Sequence, residues 1–119
     1  MEITSEIKKD SYAVKITASE NGKVVGWVYL YLIFQDRHDE PYGLVENLYV
    51  ESDFRSRGIG KELIETLIKE AKNRQCYKLI ATSRIGKGDV HSWYERLGFK
   101  NHGFEFRMDL RKSKPKQKD

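Results

Sequence analysis

Arg55-Ser56-Arg57-Gly58-Ile59-Gly60-Lys61 runs directly into a segment, Ile59 to Ala71, whose apolar residues Ile59, Leu63, Ile64, Leu67, Ile68 and Ala71 recur at three-to-four spacing. That period predicts an amphipathic helix, so two glycines and three cations stand where a long helix begins. A helix start exposes backbone N–H groups with no intrahelical partner, glycine lets a ligand approach that backbone closely, and the dipole favours negative charge. The chemistry suits a diphosphate. A glycine pair at such a place also serves tight packing alone, and two better-known phosphate motifs do not match. Gly60-Lys61-Glu62 lacks the Ser/Thr and the earlier glycine of a Walker loop, and Leu63 stands where a dinucleotide fingerprint needs its third glycine.

Working outward, Tyr12 to Ala18 alternates Tyr12, Val14 and Ile16 with polar or small residues, and Glu20-Asn21-Gly22 follows as a turn. The return strand, Lys23 to Phe34 (KVVGWVYLYLIF), has almost no polar alternation and reads as central and covered on both faces. A polar loop, Gln35 to Pro41, leads to a third strand near Gly43–Val50 (GLVENLYV), in which Leu44, Glu46, Leu48 and Val50 share one face. Glu46 is then the one charge among apolar neighbours. Beyond the long helix, Tyr77–Thr82 supplies a strand of the parallel crossover type. Asp89 caps a short helix to about Leu97, Gly98 stops it, and Phe99–Lys100 and Phe104–Leu110 read as closing strands.

Strand, Arg-x-x-Gly-x-Gly, amphipathic helix, one strand, and then Trp93-Tyr94-Glu95-Arg96-Leu97-Gly98-Phe99 together resemble the GNAT superfamily of acyl-CoA N-acyltransferases, over about Val14 to Leu110. The resemblance implies an α/β fold with a mixed sheet, splayed between the strand before and the strand after the long helix. Acetyl-CoA would lie in the opening as co-substrate, with no metal. Arg55, Ser56, Arg57, Gly58, Ile59, Gly60 and Lys61 would wrap its pyrophosphate, and the backbone of Leu48, Tyr49 and Val50 would pair with its pantetheine arm and polarise the thioester carbonyl. An attacking amine must shed a proton, because free alkyl amines are mostly protonated near neutral pH. Glu46 is the candidate base, directly or through a water, and Tyr94 the candidate acid for the departing CoA thiolate. A lysine-paired surface charge and a core aromatic are the structural alternatives for these two residues. His38, His91 and His102 read as non-catalytic, and Cys76 as a small buried residue.

The resemblance also has departures. Such domains usually carry two helices between their first two strands, whereas only about ten residues precede Ser11 here. Met1–Lys9 could be a first strand turning straight into the second. The acceptor pocket would then be open to a bulky acceptor such as a peptide amine, or walled by a second subunit, which points to a homodimer. A non-catalytic acyl-CoA-binding or interaction domain of the same fold is the rival reading.

Composition narrows the field further. The 119 residues are 39% hydrophobic and 34% charged, with two prolines and nine glycines, which excludes disordered and low-complexity classes and fits one domain, residues 1–110. A lone cysteine allows no internal disulfide framework and no Cys/His cluster has zinc spacing, in keeping with a reducing cytoplasm. Val24 to Phe34 is too short to span a membrane, and Met1–Asp10 is too charged for a secretory segment. The net charge of +4 belongs to the tail: residues 111–119 hold five of the 22 basic and one of the 18 acidic residues. Residues 1–110 are formally neutral, so any nucleic-acid contact would be weak and confined to that solvated tail. Whether the acceptor is a small-molecule amine or a protein amine is open at this point.

Overall fold

The computed structural model describes residues 1–83 and 88–111, so most of the basic tail, 112–119, lies outside the described residues. The chain forms two compact units, Met1–Ala81 and a second from Thr82 onward. The first unit holds β1 (Tyr12–Glu20), β2 (Lys23–Gln35), β3 (His38–Val50), a single 3₁₀ turn at Ser52–Phe54, α1 (Ile59–Asn73) and β4 (Leu79–Ala81); the second holds α2 (Gly88–Arg96). The four strands make one mixed sheet in the order β1-β2-β3-β4, antiparallel across the first two pairings and parallel across the last.

Turn chemistry sets the antiparallel half. Asn21 and Gly22 adopt φ of 51° and 79°, the two left-handed residues of a tight hairpin whose twist matches its strands. The second hairpin corrects the expected polar loop over Gln35 to Pro41: Gln35 pairs with His38, only Asp36 and Arg37 turn, and β3 begins at His38 rather than near Gly43. His38, Asp39 and Glu40 are exposed, and Pro41 falls where the register between Ile33 and Gln35 is interrupted. A polar run with a proline therefore continues the strand at a break in the ladder.

One face of the sheet carries the core. Val28, Leu30 and Leu32 of β2, with Val25 and Val45, are buried together with Leu63, Ile64, Leu67 and Ala71 of α1. Each large aliphatic side chain so buried is worth about 1.5–3 kcal/mol. The other face is not closed: Trp27, Tyr29 and Ile33 are half-buried and Tyr31 is 40% exposed. β2 is central, as its sequence suggests, but it is covered on one face only. Three of the four residues on that face, Trp27, Tyr29 and Tyr31, are aromatic, and aromatic rings give the same unbroken apolar pattern as buried aliphatics while tolerating a half-open face.

Both helices end in the same way. The amides of Gln75 and Cys76 bond the carbonyls of Lys72 and Ala71, and those of Gly98 and Phe99 bond Glu95 and Tyr94. These are Schellman closures, with Gln75 (φ 65°) and Gly98 (φ 105°) as their left-handed residues. Gly98 stops α2 as expected, whereas Asp89 stands inside the first turn rather than before it. Two sets of expected strands are not formed. Residues 1–11 pair with nothing as a strand, and Met1, Ile3 and Ile7 are exposed; residues 99–110 are likewise without strand structure, and Phe104, Phe106, Met108 and Leu110 are more than four-fifths exposed. Alternation marks which side of a strand is apolar, but a strand also needs an edge to pair with, and these segments find none among the described residues. Among the described residues, no helix is long and apolar enough to cross a membrane.

Candidate active site

The end of β3 and the start of α1 are joined by Glu51 to Gly58, and local backbone geometry sets what that junction offers. Ser56 and Gly58 are left-handed, with φ of 65° and 80°, and turn the chain sharply into the helix. Gly58 is the N-cap, its carbonyl accepts the Glu62 amide at 3.0 Å, and no side chain caps the helix. The amides of Ile59, Gly60 and Lys61 thus begin the helix without intrahelical acceptors. A Cβ built on Gly58 would meet nothing within 4 Å. Close packing therefore does not account for this glycine; its positive φ and the open space before the amides do.

The two arginines of the loop are engaged with protein. Arg55 donates from Nε to the Val50 carbonyl at 2.8 Å, with its guanidinium 5.8 Å from the Tyr49 ring centre. Arg57 lies 4.8 Å from the Phe54 ring centre and 3.7 Å from Glu20. These contacts tie the loop to β3 and β1. An open groove of about 450 Å³ borders the loop, lined by Ile16, Ala18, Arg57, Ile59, Leu63 and Thr66; β1 rather than β3 forms its other wall.

At β3, parallel pairing with β4 covers Gly43, Leu44 and Val45 only. From Glu46 to Val50 that edge has no strand partner among the described residues, which is the splay that the resemblance implies. An extended chain could add here by backbone hydrogen bonds. The strand also contains a bulge: Tyr29 pairs with Glu46 and Trp27 with Tyr49, so Asn47 and Leu48 oppose Val28 alone, and Asn47 is left-handed at φ 56°. The extra residue inverts the side-chain alternation. Glu46 therefore shares its face with Tyr49, not with Leu48 and Val50 as strict alternation predicts, and it is exposed. It makes no ion pair with another described residue. Beside it on that face stand Tyr29, and Trp27 packed on Tyr49 with ring centres 4.8 Å apart.

Gly26 was legible only as an interruption of an apolar run. A Cβ there would meet the Tyr49 carbonyl at 2.8 Å, so this glycine lets β2 approach the end of β3. Tyr94 lies in the second unit, half-buried on α2, with its ring 5.2 Å from Trp93 and 5.4 Å from Phe99. The Phe99 contact spans the helix cap, where apolar pairs are common. Burial pushes the Cys76 thiol up, partly offset by Arg74, which argues against a nucleophilic thiolate. His38 stacks on Tyr77, ring centres 4.2 Å apart. Among the described residues, no three His, Cys, Asp or Glu side chains gather as a metal site.

The chain resembles known proteins over most of its length. It is 34% identical to a glucosamine 6-phosphate N-acetyltransferase of Trypanosoma brucei brucei over 74 residues, 62% of this chain and 48% of the relative. With an aminoalkylphosphonate N-acetyltransferase of Salmonella typhimurium it shares 30% identity over 93 residues, 78% of this chain and 60% of that one. The chain thus spans about half to three-fifths of the length of these curated relatives. A crystal structure of a Trypanosoma brucei acetyltransferase superposes with a TM-score of 0.72 at 30% identity, covering 82% of this chain and 69% of that one. The profile of the acetyltransferase (GNAT) family matches residues 2–99, and the chain belongs to that family.

Proposed function

We propose that this chain is the catalytic part of an acetyl-CoA-dependent N-acetyltransferase acting on a primary amine of a small molecule. The carrying observation is the junction at residues 46–61: an unpaired strand edge bearing an exposed carboxylate runs through two left-handed residues into a helix whose first amides have no cap. Ile59, Gly60 and Lys61 hold the pyrophosphate through backbone N–H groups, with Ser56, Arg57 and Gly58 shaping the loop and Arg55 tying it to Val50. Leu48, Tyr49 and Val50 offer backbone to the pantetheine arm and a backbone N–H to the thioester oxygen.

Bound acetyl-CoA supplies an acyl group activated as a thioester. Glu46 takes a proton from the acceptor ammonium, directly or through one water, so that the nitrogen lone pair can bond the acyl carbon. The carbon–sulfur bond breaks as Tyr94 gives its proton to the leaving sulfur, and the second proton of the newly bonded nitrogen passes through solvent to restore the Tyr94 phenol, giving the acetamide, free CoA thiol and the proton held by Glu46. The Tyr94 role rests on its place in the family motif. The curated relatives are named for small amine acceptors, which favours a small molecule over a peptide.

A thiol-release assay with acetyl-CoA and simple primary amines tests this reading. Glu46→Gln is expected to lower kcat/KM by about 10²–10⁴-fold and to remove the rise of rate with pH, the range typical of a lost general base. An identical rate and pH profile would place the base elsewhere. Binding of acetyl-CoA without transfer to any amine would favour the non-catalytic acyl-CoA-binding reading.

A further inference from the structure

The face of the sheet away from α1 arranges opposite charges along one cross-strand row. Lys15 of β1 pairs with Tyr29 of β2, and Tyr29 pairs with Glu46 of β3, so the three side chains stand side by side on one surface. The neighbouring rows are Thr17, Trp27, Tyr49 and Ala13, Tyr31, Leu44, which give the row an aromatic floor. Lys15 does not extend freely into water. Its ammonium lies 5.1 Å from the Trp27 ring centre and 5.7 Å from that of Tyr29, over the floor and leaning toward β2. Strands two places apart are separated by roughly 10 Å, and Lys15 and Glu46 do not meet as an ion pair. Both are exposed and neither has an ionic or hydrogen-bonding partner among the described residues.

From this juxtaposition we infer that the acceptor is a small primary amine that also carries an anionic group, such as a phosphate, phosphonate or carboxylate. Its amine lies at Glu46, its carbon skeleton on Tyr29 and Trp27, and its anion at Lys15. This rests on Glu46 marking the acceptor end of the site, and it adds Lys15 as the residue that sets specificity. The opposite charges make the row complementary to an amphoteric ligand. A simple diamine would place its second cation against Lys15, and an uncharged tail would leave that ammonium unmatched.

Transfer rates with 3-aminopropylphosphonate, propylamine and 1,3-diaminopropane, matched in chain length and differing in their far ends, give the test. The wild-type protein is expected to favour the phosphonate by about tenfold or more in kcat/KM, mostly through KM, the scale of one charge-assisted contact. Lys15→Met, which keeps the aliphatic stem, is expected to bring the phosphonate-to-propylamine ratio to about one, and Lys15→Glu to shift preference to the diamine. A wild-type ratio near one, or a ratio unchanged in Lys15→Met, would overturn the inference. Binding separates it from the transferase reading. Calorimetry of 3-aminopropylphosphonate with the CoA-loaded protein needs no turnover: loss of affinity in Lys15→Met supports the site even if no acetyl group moves. Equal affinity in both proteins, or none in either, contradicts it. Failure to bind acetyl-CoA would instead count against the transferase reading alone.

Discussion

Asn47 decides what surrounds the candidate base. Because it adopts φ 56° as the extra residue of a bulge, Glu46 and Tyr49 come to one face, the face that also carries Tyr29, Trp27 and Lys15. The sequence GLVENLYV shows the charge but not the bulge, since Asn tolerates the left-handed region without requiring it. The face assignment for Leu48 and Val50 therefore fails while the position of Glu46 on β3 holds. Arg55 makes a similar point: its motif position suggests phosphate charge, whereas its Nε is spent on the Val50 carbonyl. Arg55→Ala is expected to weaken acetyl-CoA affinity several-fold by loosening the loop, with little change in melting temperature for an exposed side chain. Calorimetry beside a thermal melt would check both parts. Cys76 offers a second residue-scale check. With its thiol pushed up by burial, it should react with iodoacetamide at pH 7.5 more slowly than a free thiol, because less of it is thiolate. Reaction at the free-thiol rate would show that the burial does not hold in solution.

At the scale of elements, the amphipathic period of Ile59–Ala71, the Asn-Gly hairpin and the Gly98 stop were all legible, because each is local chemistry. The length of β3 was not, since its first residues are polar and held by pairing rather than burial. Gly26 belongs to this scale because its role is contact between strands. Gly26→Ala must displace the Tyr49 backbone, and the expected cost is about 1–3 kcal/mol of stability together with weaker acetyl-CoA binding. A variant of unchanged stability would show that the end of β3 can shift freely. The α1 cap is open to improvement instead. Gln75→Gly relieves a left-handed glutamine and is expected to stabilise the protein by about 0.5–1 kcal/mol, read from denaturant midpoints.

At the scale of the whole molecule, the order of motifs along the chain carried the fold: strand, glycine loop, helix, strand, helix, with the aromatic segment last. The outer segments, residues 1–11 and 99–110, have the alternation of strands without strand pairing, because sequence alternation specifies a face and not a partner edge. Ligand linkage acts on the entire fold. Saturating acetyl-CoA at about 100 times its Kd should add about 2.7 kcal/mol of stability, which for a chain of this size raises the melting temperature by about 10 °C. Free CoA should do much the same, since the proposed anion contacts are made to the pyrophosphate.

Calorimetric titration of acetyl-CoA into the wild-type protein and the Gly60→Glu variant tests the central claim most directly. An acidic residue in the first turn favours the helix dipole, so the variant should fold while placing a carboxylate against the pyrophosphate. The account predicts micromolar binding to the wild-type protein and no measurable binding to a folded variant. Equal affinity in the two proteins, or no binding to the wild type, would contradict it.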